Sequence, residues 1–517
     1  MPSIRLEGHA LGLLVGSVGA VAFLLQGYDQ AVVNGLLTLP TWEKQFPSIN
    51  TSVDKSHSRS VLQGTAVAIY EVGCSLGALS CFILGDILGR RKTIFLAACV
   101  VIIGVIIQAT PFSLGQLIPA RIITGLGVGA FTATVPMWVT ECSKAHNRGR
   151  LVMMEGCFAI GGVCFATWLD FGFFFVKNNS VNWRFPIAFQ SVFALIVLWL
   201  ILLLPESPRW LVKKGDYEGA KDSLSRLDAL PRNSRLIVDE IDIIKASIDA
   251  EHVGSSGNPF AMTRNRHLHR TLLAMAVNML AQMTGVNIVT FYSNVIFQHI
   301  LGYSPTLSRV ISGCLQIWQF FCATLAVFLV DRIGRRKLLL IGSFGMIIAQ
   351  SGLAALTKYA AGSKSIAGAT LLFDFMTLFF FPIGLFLIPF MYSAEISPLR
   401  IRAKVTAMST ATNWIFNFLV AEVTPLGFDH LGWKYYTVYV CTSSLAFTVY
   451  FFFCPETKGR ALEDIDEIFL RSTNVFEPVK IANSLPLGAG AALDEEAEKA
   501  EREELALHGR RYSARGS

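Results

Sequence analysis

The sequence predicts an all-α membrane protein of twelve transmembrane helices in two six-helix halves, and three observations predict it. Hydrophobic residues are 53% of the chain and charged residues only 16%, with a mean hydropathy of +0.50, a balance that suits lipid as the solvent. Apolar runs recur at the length, about 20 residues, that a helix needs to cross roughly 30 Å of hydrocarbon. Three landmarks then occur twice in the same order, separated by 245 to 254 residues.

In chain order the runs occupy 11–36, 61–84, 93–110, 116–140, 150–175, 185–204, 271–297, 310–330, 338–358, 369–392, 404–425 and 433–454. The first is long, Gly-rich and lacks a small-residue cleavage site, so it reads as helix 1 and not as a removable signal. All ten cysteines fall in or beside these runs, which suggests packing thiols and no extracellular disulfide framework. Gly125, Gly127 and Gly129 lie inside the fourth run with no strand before them, so GLGVG implies close helix packing and not a nucleotide loop.

GDILGRRK at 85–92 returns as VDRIGRRK at 330–337, with Asp86 and Asp331 separated by 245 residues. Glu141 to Arg148 and Glu395 to Arg402 share a spacing of seven and are offset by 254, and PES at 205–207 and PET at 455–457 close the two sets, 250 apart. The repeat divides the chain into an N-terminal half, 1–204, and a C-terminal half, 271–454. The polar join, 205–270, is expected to form short cytoplasmic surface helices, and 455–517 reads as a cytoplasmic tail that ends in a solvated, charged stretch.

Orientation follows from Lys and Arg. Arg90, Arg91 and Lys92, then Lys144, Arg148 and Arg150, then Arg332, Arg335, Arg336 and Lys337, then Arg400, Arg402 and Lys404 occupy alternate loops, which places those loops and both termini in the cytoplasm. The sequons at Asn50 and Asn178 fall on the opposite side, where glycosylation is expected. The isoelectric point near 8.8 then reflects loop charge facing anionic lipid, with no nucleic-acid footprint. Asp86 with Arg90 and Arg91, Glu141 with Arg148, Asp331 with Arg335 and Arg336, and Glu395 with Arg402 are expected to form a charge network that closes the cytoplasmic side.

Asp29 stands within helix 1, where an ionised carboxylate costs about 2.5–3.5 kcal/mol and needs a partner or a wet cavity. Arg121 in helix 4 is the expected partner, because a rise of 1.5 Å per residue sets Asp29 roughly 10 Å and Arg121 roughly 8 Å below the outer surface. Burial opposes the carboxylate charge while Arg121 favours it, so the balance can respond to conformation and to a proton. A permanent ion bridge that only fixes helix packing is the plainer alternative. Solute contacts are expected near the midplane between the halves, from neutral groups that both donate and accept as hydroxyls do. Gln282, Asn287 and Asn413 fit, with Tyr292, Trp414 and Phe390 as aromatic faces. Glu71 and Glu422 could join a polar relay, whereas Asp170, Asp374 and Glu155 are expected near span ends within reach of water. The histidines show no metal-like spacing and no nucleophile–base arrangement is visible, so neither metal, cofactor nor enzyme activity is expected.

GYDQAVVNG at 27–35, RIITGLGVG at 121–129, ECSKAHNRGR at 141–150, PESPRW at 205–210, QMTGVN at 282–287, EISPLRIRA at 395–403 and PETKGR at 455–460 join the two DxxGRRK motifs. Together they resemble the sugar porters of the major facilitator superfamily over nearly all of residues 20–465. WLDFG at 168–172 with WRFP at 183–186 resembles a fungal branch that includes hexose carriers and glycerol symporters. The resemblance implies a proton-accepting role for Asp29, a partner role for Arg121, and sugar-binding amides at Gln282, Asn287 and Asn413.

Departures from the pattern bear on the solute. Ala281 stands where the family usually has a glutamine, Phe390 replaces a common tryptophan, Gly156 stands where helix 5 usually offers another glutamine, and Trp138 and Lys144 replace a usual Tyr and Pro. The expected function is a secondary active transporter that imports a sugar, hexose first, across the plasma membrane by alternating access with proton symport. A passive facilitator, a glycerol or polyol symporter, a non-transporting sugar sensor and a small-metabolite exporter are the alternatives. The expected partners are the sugar or polyol and the lipid bilayer, with the proton as coupling ion.

Overall fold

The computed structural model describes residues 7–51, 57–143, 148–252, 258–262, 265–360, 363–460 and 462–486, and among these residues it is nearly all helical, with no strand. Each apolar run falls on a helix to within a few residues at its ends, and the seventh and tenth runs fall on broken helices. Helices 1 to 6 are Gly8–Leu36, His57–Leu88, Arg90–Ala109, Leu114–Glu141, Arg148–Phe174 and Val181–Leu203. Helix 7 comprises His267–Gln282 and Val286–Val295 with a π-turn over Ile296–Ile300. Helices 8 and 9 are Pro305–Ile333 and Arg335–Ala360. Helix 10 runs as Lys364–Phe381, a π-turn Pro382–Phe386, and Ile388–Glu395; helices 11 and 12 are Leu399–Leu431 and Tyr435–Phe453.

Among the described residues eleven apolar segments are long enough to cross a membrane, and the last, Arg400–Phe453, spans helices 11 and 12, so the described residues provide twelve crossings. The reversal inside that segment needs only Gly432–Lys434, because Gly432 adopts φ +55, a backbone conformation that other residues rarely take. An even number of crossings puts the start of helix 1 and the end of helix 12 on one face, here the basal face; the other is the distal face. The join carries three short helices, Pro208–Lys213, Tyr217–Asp228 and Arg235–His252, the first two capped by Ser207 and Asp216 side chains. They bury their own apolar cluster, which includes Leu211, Leu224 and Ile237.

With lipid outside the bundle, burial of apolar surface does not discriminate one helix face from another, so contact depends on how closely backbones approach. Gly73 and Gly77 of helix 2 interlock with Gly125 and Gly129 of helix 4: a β-carbon on Gly125 would lie 2.2 Å from the Tyr70 carbonyl oxygen, and one on Gly129 would lie 2.0 Å from that of Cys74. Gly127 faces helix 3, where a β-carbon would meet Val101 at 2.5 Å and the Ala97 carbonyl at 2.7 Å. Helices 1 and 5 cross in the same way, through Gly27 against the Ala159 carbonyl and Gly162 against that of Leu24. Outward, Ile103, Ile106, Trp199, Phe321 and Phe328 stay exposed, as side chains facing lipid do.

Candidate solute and proton site

Helices 1, 2 and 4 enclose three buried ionisable side chains, Asp29, Glu71 and Arg121. Asp29 Oδ1 lies 4.0 Å from Arg121 Nη1, with side-chain exposures of 0% and 1%. The pair is close but loose, because neither Asp29 oxygen accepts a hydrogen bond among the described residues. Arg121 is anchored elsewhere: its Nη2 donates to the Val67 carbonyl at 2.9 Å, and its guanidinium sits 5.4 Å from the centre of the Tyr70 ring. The equal depth read from helical rise therefore corresponds to a contact, and the tight helix 2–helix 4 crossing at Gly125 brings Arg121 there. Glu71, one turn beyond Val67, is also fully buried, and among the described residues neither of its oxygens has a hydrogen-bond partner.

Helix 7 breaks at Met283–Gly285, where Gly285 takes φ +82. A β-carbon on Gly285 would lie 2.6 Å from the Tyr439 ring, so the break requires glycine on conformational and steric grounds. The break leaves Gln282 at the end of one half-helix and Asn287 at the start of the next, where backbone groups lose helical partners and a polar path can form. Gln282 Nε2 donates to Asn413 Oδ1 at 2.9 Å, while Asn287 Nδ2 donates to Gln282 Oε1 at 2.7 Å and to Asn417 Oδ1 at 2.6 Å. The three expected amides thus form one ladder, and Asn417 is a fourth rung that the sequence reading missed. Asn413 and Asn417 are a single turn apart on helix 11, which was a usable signal. Asn278, also missed, donates to Ser409 at 2.6 Å and to the Pro389 carbonyl at 3.1 Å, tying helices 7, 10 and 11 together.

The aromatic residues take different positions. Tyr292 is buried and its hydroxyl donates to the Ala421 carbonyl at 2.8 Å, so it braces helix 7 on helix 11. Trp414 reaches from helix 11 into the apolar cluster of the N-terminal half that contains Phe131 and Val135, and its indole N–H has no partner among the described residues. Phe390 is partly buried on helix 10. The space beside Gly156 is occupied: a β-carbon there would lie 1.9 Å from a Leu387 methyl carbon.

On the distal side, hydrogen bonds join the two halves. Asn34 donates to Ser293 Oγ at 2.8 Å and accepts from the Asn294 backbone at 3.3 Å, and Gln298 donates to Thr38 at 3.1 Å. Arg309 of helix 8 crosses to helix 1, donating to Thr38 Oγ1 at 2.7 Å and to the Gly35 carbonyl at 3.3 Å. Thr65 donates to Glu422 at 2.7 Å, and Ser60 donates to Asp429. Asp170, Asp374 and Glu155 were expected to reach water, yet they are 3%, 5% and 3% exposed. Packing overrides their position along the span: Asp170 lies against Gly35, and Glu155 against Gly19. Asn50 and the exposed Asn178 both lie on the distal face; Ser52 of the first sequon lies outside the described residues.

The basal network has a twofold pattern different from the one expected. Arg90 donates to Glu141 at 3.0 Å and to Asp86 at 3.3 Å; Arg335 donates to Glu395 at 3.1 Å and to Asp331 at 3.0 Å. Arg91 and Arg336, expected on the aspartates, run instead to helix ends: Arg91 to the Ile201 and Leu202 carbonyls at 3.0 and 2.6 Å, Arg336 to that of Phe451 at 2.8 Å. Terminal carbonyls lack intrahelical donors, which makes them strong acceptors for a guanidinium. Arg402 donates to the Ser397 carbonyl at 3.2 Å, and the Arg148 side chain and Lys144 lie outside the described residues. Two acids outside the expected set complete the pattern. Glu206 accepts the backbone N–H groups of Arg90 and Arg91 at 3.0 and 3.1 Å, and Glu456 accepts that of Arg335 at 2.8 Å. Each named contact stays within one half or ties that half to the segment that follows it, and none joins the two halves, so the network braces each half separately.

Asp86, beyond the apolar segment of helix 2, also accepts from Lys213 of the join at 2.8 Å. Partial burial works against its charge, but Lys213 and Arg90 outweigh burial and hold the carboxyl below its ordinary value.

The family model described as sugar (and other) transporter matches residues 15–469. The sugar transporter STL1 of Saccharomyces cerevisiae is 35% identical over 490 residues, covering 93% of this chain and 85% of the relative. The MFS-type transporter oryC of Aspergillus oryzae is 36% identical over 481 residues, covering 90% and 87%. Among solved structures, the proton:xylose symporter XylE bound to 6-bromo-6-deoxy-D-glucose matches with a TM-score of 0.73 at 25% identity, over 89% of this chain and 99% of that one.

Proposed function

The chain belongs to the sugar transporter family, and from that premise we propose that it imports a sugar across the plasma membrane together with a proton, by alternating access between its halves. The observation that carries the proton step is the loose pairing of Asp29 with Arg121, 4.0 Å apart and buried, with neither carboxylate oxygen accepting a hydrogen bond among the described residues. A buried charge in that position is held only weakly, so gaining a proton is a natural way to neutralise it.

With the distal side open to the outside, water reaches Asp29 and supplies the proton. Neutral Asp29 releases its hold on Arg121, which keeps its bond to Val67. The sugar binds on the amide ladder of Gln282, Asn287, Asn413 and Asn417, whose groups both donate and accept. Bonds such as Asn34 to Ser293 and Arg309 to Thr38 then close the distal side, and the basal side opens to the cytoplasm. The positive loops at Arg90, Arg335 and their neighbours support a cytoplasmic basal face, and the distal sequons support N-glycans at Asn50 and Asn178.

XylE is named as a proton:xylose symporter and STL1 as a sugar transporter, which supports a sugar as solute. A hexose remains the first candidate. A smaller polyol is the second, favoured by Leu387, which fills the space beside Gly156 with hydrocarbon.

The test is radiolabelled uptake of hexoses, pentoses and glycerol in a transport-null host, with and without a protonophore, beside a recording of external pH. One proton moving down 100 mV supplies about 2.3 kcal/mol, enough for roughly 40-fold accumulation of a neutral solute. Uphill uptake that collapses with protonophore, with alkalinisation on adding solute, supports the reading. Asp29→Asn should retain counterflow and lose accumulation; accumulation persisting in that variant would reject the role given to Asp29.

A further inference from the structure

Charge balance around Arg121 leaves one acid too many. Asp29 on helix 1 and Glu71 on helix 2 are both fully buried, and none of their four carboxylate oxygens has a hydrogen-bond partner among the described residues. Arg121 is the cation that acts on both. Its bond to the Val67 carbonyl fixes the guanidinium against the turn of helix 2 that ends at Glu71, while its other edge faces Asp29. Two ionised acids with one guanidinium would leave a net buried charge of −1, whereas a single proton brings the cluster to zero. Uncompensated charge at this depth is expensive, and two like charges that share one counterion cannot both ionise freely.

The other titratable groups that face Glu71 add no positive charge. Tyr70 and Cys74 lie on its own helix and act on it, whereas Tyr292 of helix 7 acts on Arg121 instead, and Glu422 of helix 11 accepts from Thr65. Helix 1 contributes Asp29 and helix 4 contributes Arg121. The cluster thus has a built-in place for one proton and two carboxylates between which to hold it.

We propose that Glu71 is a second proton-binding carboxylate of the carrier, and that the transported proton is shared between Asp29 and Glu71 around Arg121. This rests on the symport reading and assigns it a second residue. The chemistry is a simple transfer: a hydronium ion from the outside gives its proton to a carboxylate oxygen and leaves as water, and release to water on the cytoplasmic side reverses the step. Two coupled acids titrate as a pair, so the pH response of uptake belongs to both residues. Removing the acid at 71 leaves Asp29 and Arg121 as a balanced ion pair that no longer requires a proton.

The experiment compares the full-length wild type, Glu71→Gln, Glu71→Asp and Asp29→Asn in the transport-null host. It uses whichever solute the uptake panel identifies, and reads uptake against external pH, alkalinisation and counterflow. Glu71→Gln should retain measurable counterflow while its half-maximal pH for uptake moves by about one unit or more toward acid, with alkalinisation per solute reduced. Wild-type pH dependence and alkalinisation in Glu71→Gln would overturn the assignment. If that variant does not reach the membrane, Glu71→Asp decides, since it keeps the acid and draws it back by one methylene. A displaced pH profile with counterflow present supports the shared proton, and an undisturbed profile rejects it. Wild-type protein that gives no alkalinisation removes the symport reading itself, whereas a proton-coupled wild type with an unaltered Glu71→Gln removes Glu71 alone.

Discussion

Leu387 occupies the space that any side chain at position 156 would need, its methyl carbon 1.9 Å from where a β-carbon on Gly156 would stand. The contact joins helix 5 of one half to helix 10 of the other, just past the π-turn Pro382–Phe386. It replaces hydrogen-bonding capacity with hydrocarbon at the meeting of the two halves. Leu387→Ala should therefore enlarge the solute space, raising hexose uptake relative to glycerol by about tenfold, since a hydrophobic filling of this size discriminates by about 1–3 kcal/mol. Competition between labelled hexose and glycerol measures the ratio. An unchanged ratio would place the discriminating contacts elsewhere.

Asn417 should matter as much as the amides whose positions were expected. It accepts from Asn287 at 2.6 Å, so Asn417→Ala leaves one Asn287 donor direction unsatisfied in a buried ladder. The expected effect is a loss of about 1–3 kcal/mol in solute affinity, roughly 5- to 150-fold in KM, with carrier abundance little altered. Uptake kinetics at matched surface expression separate this from a folding defect.

Much of this architecture is legible in the sequence because lipid imposes one strong rule, that backbone groups are satisfied within helices, so apolar length reports each crossing. The doubled DxxGRRK motif and the depth of Asp29 and Arg121 follow from helical rise in the same direct way. Side-chain partners at helix ends are less legible. Arg91 and Arg336 are adjacent in sequence to the arginines that bind acids, yet a helix rotates about 100° per residue, which sends them to the free carbonyls of helices 6 and 12. Burial of Asp170, Asp374 and Glu155 depends on which neighbour presents a glycine or a bulky side chain, information held in other helices. Glu206 and Glu456 were visible as landmarks of the repeat, but their capping role required knowing that each returns to the start of a helix more than 100 residues earlier.

Those two caps should behave as a matched pair. Gly89 and Gly334 have φ +89 and +106 and leave room for the carboxylates, since a β-carbon on either would lie 2.6 Å from a glutamate oxygen. Glu206→Ala and Glu456→Ala should each destabilise the basal end by about 0.5–2 kcal/mol, the usual value of a lost helix cap. Thermal unfolding of purified protein in detergent should show similar losses for both. A loss at only one site would mean that the twofold arrangement is not matched in energy.

The contact of Asp86 with Lys213 couples the join to helix 2 and carries a pH sign. The Asp86 carboxyl is held below 3.8, its ordinary value, so the contact contributes fully above that pH and is lost as pH falls through the lowered value. Lys213→Met removes the main favourable partner, and loss should then begin at higher pH. Cleavage of the 205–270 join by an acid-active protease, followed against pH, reads this directly. Identical onset in wild type and variant would show that other contacts hold the join.

Arg309 offers the clearest control over which side is open. It is 2% exposed, stacks 4.1 Å over the Phe174 ring, and bonds across the halves to Thr38 and the Gly35 carbonyl, with Asp170 close enough to act on its charge. All these partners belong to the N-terminal half, so opening the distal side must strip the guanidinium of its stacking and of these acceptors together, leaving only the Pro305 carbonyl of its own helix, 3.1 Å away, among its named partners. Arg309→Gln keeps some hydrogen bonding but loses the charge and the cation–π contact, and should shift the balance toward the outward-open form. Breaking a buried charged contact costs about 3–5 kcal/mol, more than enough to invert a two-state balance of a few kcal/mol. A single cysteine placed at Ser293 on the distal path should then react faster with a membrane-impermeant thiol reagent in Arg309→Gln than in the parent, in a background where the exposed Cys314 and Cys441 are replaced. Equal labelling rates would mean that the remaining distal contacts, Asn34 with Asn294 and Gln298 with Thr38, hold the distal side closed without Arg309.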